Sequence, residues 1–148
     1  MKQPFSALKT EKIMNNLNRG ILDYSPEILV SDQTASTNDD AKKYLPEQSS
    51  ALSIHLSEQQ IAGKGRNGKK WISPKGKNIY LSLGWKSPLQ YSELDGLSLS
   101  VGTVLATILN KYNKNDIKIK WPNDLLISQK KISGILIETI DTDGGVGI

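Results

Sequence analysis

Apolar side chains recur along this chain at two spacings, one typical of strands and the other typical of helices. Apolar or alternating segments at residues 28–30, 51–57 and 117–120 predict short strands. From Asn78 to Trp85 every second residue is apolar, which predicts a strand with one buried face. The residues on that face are Ile79, Leu81, Leu83 and Trp85.

Helical spacing is clearest after this strand. Ser92 and Asp95 form a capping-box pattern, and the apolar residues that follow are spaced three and four apart, so we predict a long helix here. Its core stripe would consist of Leu94, Leu97, Val101, Leu105, Ile108 and Tyr112. A shorter helix is predicted to begin in the segment 36–40 and to end near Leu45, because Pro46 stops it.

The remaining elements complete an α+β pattern. Ile13 and Leu17 share the face of a short N-terminal helix, which Gly20 is predicted to end. Residues 125–128 and 132–140 predict a hairpin turning at Gln129 and Lys130. Strand pairs joined by short turns imply a largely antiparallel sheet with helices packed on one face. We therefore divide the chain into an N-terminal helix and connector, residues 1–27, and a main domain, residues 28–148.

Composition narrows the function classes. The 148 residues carry a net charge of +4 and no cysteine, which excludes disulfides, thiolate metal sites and a cysteine nucleophile. His55 has no companion ligands at metal-binding spacing, so we predict a structural role for it and no metal site. The N-terminus lacks a secretory signal, and no uninterrupted apolar run approaches the ~20 residues that span a bilayer. We expect a cytoplasmic protein without a membrane partner.

The segment Gly63–Trp71 carries the most specific chemistry. Its three glycines alternate with four cationic side chains and end on an indole. Glycine lets backbone N–H groups converge on an anion, the cations supply countercharge, and the indole offers a flat face for a base. This composition is typical of a loop that closes over a nucleotide or an acyl phosphate. For the loop alone, a solvated turn in a lysine-rich protein is an equal alternative.

Four segments, taken in order, resemble the catalytic domain of biotin protein ligases. They are Ser36-Thr37-Asn38, Gln60 with the glycine loop, Lys120-Trp121-Pro122-Asn123-Asp124, and Lys131-Ile132-Ser133-Gly134-Ile135-Leu136-Ile137-Glu138. The resemblance implies the fold of class II aminoacyl-tRNA synthetases and biotin ligases. It also implies that residues 28–148 form a partial catalytic domain of this type.

The resemblance implies a two-step reaction. Biotin and MgATP would give biotinyl-5′-adenylate and pyrophosphate, and biotin would then pass to a lysine of the biotin carboxyl carrier protein of a carboxylase. Members often dimerise through their sheets, so a homodimer is allowed. Only 35 residues precede Ser36, fewer than a winged-helix domain needs, so we expect no DNA binding.

The resemblance also assigns residue roles. The residues implied to bind biotin are Ser36, Thr37, Asn38, Gln60, Lys64, Gly65, Arg66, Tyr80, Ser82, Lys131 and Gly134. Those implied to bind the nucleotide are Trp71, Lys120, Asn123 and Asp124. Among these, Lys131, Arg66 and Lys120 are expected to act in catalysis.

Two departures from the family pattern change the expectations. Lys64 and Lys69 stand where arginine is commonest, so the planar two-pronged grip on phosphate or carboxylate is lost and we expect the adenylate to be held more weakly. The chain also stops at 144–148, inside what resembles a pocket strand. We therefore expect an incomplete fold with unmet backbone pairing at this edge.

Other functions stay open at this point. The chain could be a non-catalytic or impaired fragment that binds biotin or its adenylate without transferring it. A lipoate-ligase-like enzyme is disfavoured because an Arg-Arg-x-x-Gly-Gly-type signature is absent. A basic nucleic-acid-binding module is disfavoured because few aromatic residues accompany the basic loop.

Overall fold

The computed structural model describes residues 7–47, 50–112, 116–143 and 145–148. The predictions for residues 1–6 and for Gly144 lie outside the described residues. The chain divides into two compact units. The first unit contains the chain up to Pro88 together with Glu138–Ile148, and the second contains Leu89–Ile137.

Four α-helices and nine strands are present in the described residues. The helices are α1 Thr10–Met14, α2 Arg19–Leu22, α3 Thr37–Tyr44 and α4 Leu97–Asn110. Short 3₁₀ turns occur at Leu45–Glu47, Arg66–Gly68 and Tyr91–Leu94. The strands are β1 Glu27–Ser31, β2 Ser53–Ser57, β3 Tyr80–Gly84, β4 Lys86–Ser87, β5 Ile117–Lys120, β6 Asp124–Ile127, β7 Lys130–Gly134, β8 Ile140–Thr142 and β9 Gly145–Gly147.

The first unit is built on a three-stranded sheet in the order β1-β2-β3. β1 is parallel to β2, with α3 as the crossover, and β3 is antiparallel to β2. In register, Leu29 is opposite His55, and His55 is opposite Ser82. This topology places the beginning of α3 on the same face of the sheet as Ser82 and Gly84 of β3.

The two faces of this sheet differ in side-chain size. One face carries Ile28, Ile54 and Leu56, against which Leu8, Ile13 and Leu17 pack. The other face carries the buried Ser53, Ser82 and Gly84. A Cβ atom added at Gly84 would lie 3.5 Å from the Cβ of Ala41 in α3, so the small residues let this helix approach closely. The α+β class is confirmed, and within this unit helical segments cover both faces.

The predicted buried face of β3 was wrong. Tyr80, Ser82 and Gly84 are the buried residues, whereas Leu81 and Leu83 on the opposite face are 48% and 45% exposed. The physical reason is the close approach of α3, which needs the small side chains. Ile79, which precedes the strand, is also exposed.

The C-terminal strand lies inside a sheet, contrary to the expectation of unmet backbone groups at this edge. β9 is the middle strand of a sheet in the order β4-β9-β8. Beyond it, the backbone N–H groups of Trp85 and Ile148 each donate to the carbonyl of the other at 3.0 Å. Val146 and Ile148 are buried. Val146 and Gly147 therefore have strand partners on both sides, whereas Gly145 pairs with Thr142 and Ile148 pairs with Trp85.

The second unit packs α4 on the antiparallel sheet β5-β6-β7. Its core consists of Ala106, Ile117 and Leu125, with Leu105 and Leu109 packed against them. β6 and β7 are joined by a two-residue turn at Ser128 and Gln129, both with positive φ (47° and 64°). This conformation matches the twist of a tight hairpin.

Several boundaries differ from the predictions. Gly20 lies inside α2 rather than ending a helix. The capping box is formed by Gln90 and Glu93 on the 3₁₀ turn, and α4 begins only after Gly96, whose φ of 82° interrupts the helix. Ile108 and Tyr112 of the predicted stripe are exposed, because α4 places Gly102 and Ala106 against the sheet. The hairpin turns at Ser128–Gln129, and its second strand ends at Gly134.

One helical stretch in the described part of the chain, Tyr91–Asn110, has the length and apolar composition of a membrane span. Gly96 divides it into the 3₁₀ turn and the 14-residue α4. At about 1.5 Å per residue, α4 is about 21 Å long, shorter than the roughly 30 Å hydrocarbon core of a bilayer.

We predict that Leu125→Ala destabilises the second unit by about 2–5 kcal/mol, because it removes a fully buried side chain and leaves a cavity. Urea unfolding followed by circular dichroism measures the change. Leu99→Ala on the exposed side of α4 is the matched control and should cost less than about 1 kcal/mol. Equal costs for the two variants would contradict the assignment of the core.

Candidate active site

A connected set of polar side chains lies where α3 begins. The Oε1 atom of Gln60 accepts hydrogen bonds from the backbone N–H of Thr37 at 2.9 Å and from its Oγ1 at 3.1 Å. At its other end, the Nε2 atom of Gln60 donates to Ser73 Oγ at 3.0 Å. One amide group therefore joins the start of the helix to both sides of the glycine loop.

The cluster continues on β3 and at the C-terminal segment of the unit. Ser82 Oγ lies 2.8 Å from Thr37 Oγ1 and 2.5 Å from Asn38 Oδ1. The Nδ2 group of Asn38 donates to Glu138 Oε2 at 3.0 Å. Because Ser82 and Thr37 are buried, these polar groups need one another as partners. The predicted biotin-binding residues Thr37, Asn38, Gln60 and Ser82 are thus brought together.

Ser36 occupies the N-cap position of α3, but its side chain forms no capping hydrogen bond. Ser36 is only 2% exposed. Capping therefore does not account for the hydroxyl at this position. Ser36 adjoins the cluster at the point where the predicted Ser-Thr-Asn segment begins.

The glycine loop is a short hairpin. Trp71 N donates to Gly63 O at 2.8 Å, and Gly65 N donates to Lys69 O at 2.7 Å. A Cβ atom at Gly63 would lie 2.7 Å from Trp71 O and 2.8 Å from Ser73 Oγ, so glycine is required for this close approach. Arg66 lies in the 3₁₀ turn near the tip of the hairpin, and its side chain forms no ion pair among the described residues.

Charged side chains border the cluster in an alternating series. Lys64 Nζ lies 2.7 Å from Asp39 Oδ2, Asp39 Oδ1 lies 3.4 Å from Lys42 Nζ, and Lys42 Nζ lies 2.8 Å from Glu138 Oε1. The hydrogen bond from Lys64 is the main cause that lowers the pKa of Asp39. Burial alone would raise the pKa of Glu138, but hydrogen bonds from Lys42 and Asn38 outweigh it and lower that pKa. The hydrogen bond to Glu138 raises the pKa of Lys42.

Two other predicted residues flank the loop. Trp71 follows the cationic segment and is partly buried. Tyr80 is 4% exposed, and its hydroxyl donates to Pro74 O at 2.9 Å and lies 3.0 Å from Asn78 Nδ2. The Tyr80 hydroxyl therefore supports the segment that returns from the loop to β3.

His55 lies on the same sheet, opposite Ser82 in register, but its side chain contacts Ser53 and Tyr44. Its Nε2 atom lies 3.2 Å from Ser53 Oγ, and its ring contacts Tyr44 edge-on at 5.5 Å. Burial lowers the pKa of His55. It borders a groove of about 440 Å³ that no predicted site residue lines.

The second unit brings its own predicted residues together at one end of the β5-β6-β7 sheet. Lys120 pairs in register with Asp124, and Asp124 pairs with Gly134. Lys131 Nζ lies 2.6 Å from Asp124 Oδ1. Asn123 exchanges two hydrogen bonds with the backbone of Ile135, one through its own carbonyl and one through Nδ2, both at 2.9 Å. These contacts fix the turn that carries Asn123 and Asp124.

No group of three or more His, Cys, Asp or Glu side chains suited to a metal ion occurs in the described ranges. The Asp124 carboxylate is already paired with Lys131. Mg²⁺ commonly binds through one or two carboxylates and the phosphates of its nucleotide. Among the predicted nucleotide-binding residues, only Asp124 carries a carboxylate.

Sequence reasoning did not predict the roles of Asp39, Lys42, Ser73 and Glu138. Glu138 stands at the end of a quoted motif, one hundred positions from Asn38, so only the fold reveals their contact. The spacing of Asp39 and Lys42 on a helix was a usable signal, because residues three apart face the same side. Ser73 carried no signal in the sequence.

The family of the chain follows from comparison with known proteins. The model of the biotin/lipoate A/B protein ligase family matches residues 30–146. The chain belongs to this family. The match spans the polar cluster, the glycine loop and the β6–β7 hairpin of the ligase fold.

Individual relatives of the chain are named as ligases. The bifunctional ligase/repressor BirA of Escherichia coli is 33% identical over 147 residues, which cover 97% of this chain and 43% of that protein. The biotin–[acetyl-CoA-carboxylase] ligase of Paracoccus denitrificans is 33% identical over 77% of this chain and 48% of that protein. The chain therefore spans about half the length of these relatives.

A solved structure shows the same fold. The biotin protein ligase from Aquifex aeolicus in complex with biotin and ATP superposes with a TM-score of 0.61 and 25% identity. The alignment covers 82% of this chain and 51% of that one. The predicted class II synthetase-like ligase fold is confirmed.

We predict that Gly63→Ala destabilises the first unit by about 1–3 kcal/mol, because the added methyl group overlaps Trp71 O and Ser73 Oγ. Gly65→Ala in the same loop is the control, since its nearest neighbour would lie at 3.4 Å and its φ is −119°. Urea unfolding of both variants tests the packing. A larger loss for Gly65→Ala would refute the described loop geometry.

We also predict a pH-dependent role for Glu138. Because its folded pKa is lowered below the ordinary value of 4.5, its stabilisation is present above that pH and is lost as the pH falls through the folded pKa. Glu138→Gln should therefore reduce the free energy of unfolding by about 1 kcal/mol at pH 7, and the difference should vanish in acid. The exposed Glu47→Gln is the control, and a difference that grows in acid would contradict the sign.

Proposed function

We propose that this chain is the core of an ATP-dependent biotin ligase. It would convert biotin and ATP to biotinyl-5′-adenylate and then transfer biotin to a lysine of a carboxylase carrier protein. The observation that supports this most directly is the partly buried cluster of Thr37, Asn38, Gln60 and Ser82 beside a cationic glycine hairpin. The family model covers this part of the chain, and one relative is named as a biotin–[acetyl-CoA-carboxylase] ligase.

In the first step, a biotin carboxylate oxygen attacks the α-phosphorus of ATP, an O–P bond forms, and pyrophosphate leaves. The polar cluster suits the ureido ring of biotin, which carries two N–H donors and one carbonyl acceptor. Cations must offset the two anions that approach each other. Lys64 and Arg66 lie on the loop beside the cluster and would supply that charge. Trp71 offers an apolar face for the adenine.

In the second step, the ε-amine of the carrier lysine attacks the acyl carbon, an amide bond forms, and AMP leaves. The adenylate is a mixed anhydride that water hydrolyses, so the loop would also shield it. The resemblance assigns nucleotide contacts to Lys120, Asn123 and Asp124 and a carboxylate contact to Lys131. These roles stay part of the proposal, as do entry of Mg²⁺ with the nucleotide, a homodimer and a cytoplasmic location.

The test is to incubate the purified chain with biotin, MgATP and a biotin carboxyl carrier domain and to weigh the products by mass spectrometry. We expect biotinyl-5′-adenylate and a carrier that has gained one biotinyl group. Lipoate in place of biotin is the substrate control. Thr37→Val should weaken biotin binding about tenfold, because it removes a buried hydroxyl that bonds Gln60 and Ser82.

Thr34→Val is the matched control variant, because the Thr34 hydroxyl bonds Asp40 outside the cluster. If adenylate forms but the carrier is not modified, the protein activates biotin without transferring it. If biotin binds but no adenylate forms, the protein only binds biotin. Preference for lipoate, or no binding of biotin, would refute the proposal.

A further inference from the structure

An ion pair joins Asp39 in the first turn of α3 to Lys64 in the glycine loop. The reaction above gives a role to Lys64 but none to Asp39. Both carboxylate oxygens of Asp39 lie within hydrogen-bond distance of Lys64 Nζ, at 2.8 and 2.7 Å. The side chain of Asp39 is 22% exposed and that of Lys64 is 46% exposed. Asp39 directly follows Thr37 and Asn38 of the polar cluster.

This pair determines where the Lys64 ammonium lies. The backbone around Lys64 is fixed by the hydrogen bonds of the hairpin on both sides, at Gly63 and Gly65. The long side chain is flexible, and Asp39 is its ion-pair partner in the described residues. A lysine ammonium has three N–H donors, and two of them are directed at this one carboxylate.

The pairing changes what an incoming anion meets. Lys64 is neutralised by Asp39, and Lys42 is placed between Asp39 and Glu138. The four charges sum to zero: two cations, Lys64 and Lys42, against two carboxylates, Asp39 and Glu138. A ligand carboxylate or phosphate that approaches Lys64 must therefore replace Asp39 or share the ammonium with it.

We propose that Asp39 is an internal competitor for Lys64, so that it holds the loop lysine when the site is empty and releases it to the anionic end of the substrate. Asp39 thereby sets the affinity for the charged end and leaves the affinity for the ring unchanged. This inference rests on the proposed function for the identity of the ligand, biotin. Asp39 is a positioning residue, since it acts through Lys64.

The test compares biotin with biotinamide, which has the same ring and an uncharged end, by isothermal titration calorimetry. In Asp39→Asn we expect biotin to bind about fivefold more tightly than to the wild type, a size typical of partly exposed ion pairs. The affinity for biotinamide should stay the same. The ratio of the two affinities is the readout, because a general change in the pocket would alter both ligands equally.

Two controls separate the competitor from a simple change in net charge. Asp32→Asn removes a carboxylate of the same unit that pairs with Lys75 at 2.6 Å, and it should leave the ratio unchanged. In a Lys64→Gln background, Asp39→Asn should no longer favour biotin, whereas a through-space charge effect would persist. If Asp39→Asn folds poorly, Asp39→Ser takes its place, because it also keeps a polar residue in the first helical turn. It should give the same rise in the ratio.

The outcomes are distinct. The proposal is supported if the ratio rises in Asp39→Asn and if the double variant has the same ratio as Lys64→Gln alone. An unchanged ratio, or one that rises equally in both backgrounds, overturns it while wild-type binding of biotin still supports the proposed function. If the wild type binds neither ligand, the proposed function fails and this inference fails with it.

Discussion

The arrangement of the first unit depends on a single side-chain amide. Gln60 accepts from Thr37 at one end and donates to Ser73 at the other, so it holds the start of α3 and the return of the glycine loop at a fixed separation. A side-chain amide suits this position because its oxygen accepts and its nitrogen donates on one planar group. The backbone follows the same path, because Gln60 N also donates to Ser73 O. The close contact at Gly63 is a consequence of this spacing.

Each of the two units contains a predicted anion-binding lysine that forms an ion pair with a carboxylate of the same unit. In the first unit Lys64 is paired with Asp39, and in the second Lys131 is paired with Asp124. Both lysines were predicted to contact anions, and both have a carboxylate partner in the protein itself. Holding a lysine in place before a ligand binds reduces the side-chain entropy lost on binding, although the ligand must then compete for the charge.

The sequence allowed the prediction of the α+β class and of most strands, because apolar spacing is a local pattern. Thr37, Asn38, Gln60 and Ser82 were named from the family resemblance, and the structure brings them together, while their roles stay predictions. The sequence did not allow the prediction of the buried face of β3, because the small residues Ser82 and Gly84 are buried only through the approach of α3 from elsewhere in the chain. The contact between Asn38 and Glu138 was equally inaccessible, because nothing local links positions so far apart. The beginning of α4 was missed because Gly96 adopts a left-handed conformation that the apolar spacing does not report.

The hairpin that carries Lys131 has a turn of only two residues, with both in the left-handed region. Strand side chains alternate between faces, so adding one residue to this turn would rotate Lys131 away from Asp124 and expose a neighbour in its place. Adding two would restore the face but move the ammonium along the strand by roughly 7 Å. The length of the turn therefore determines both the face on which the Lys131 ammonium lies and its position along the strand.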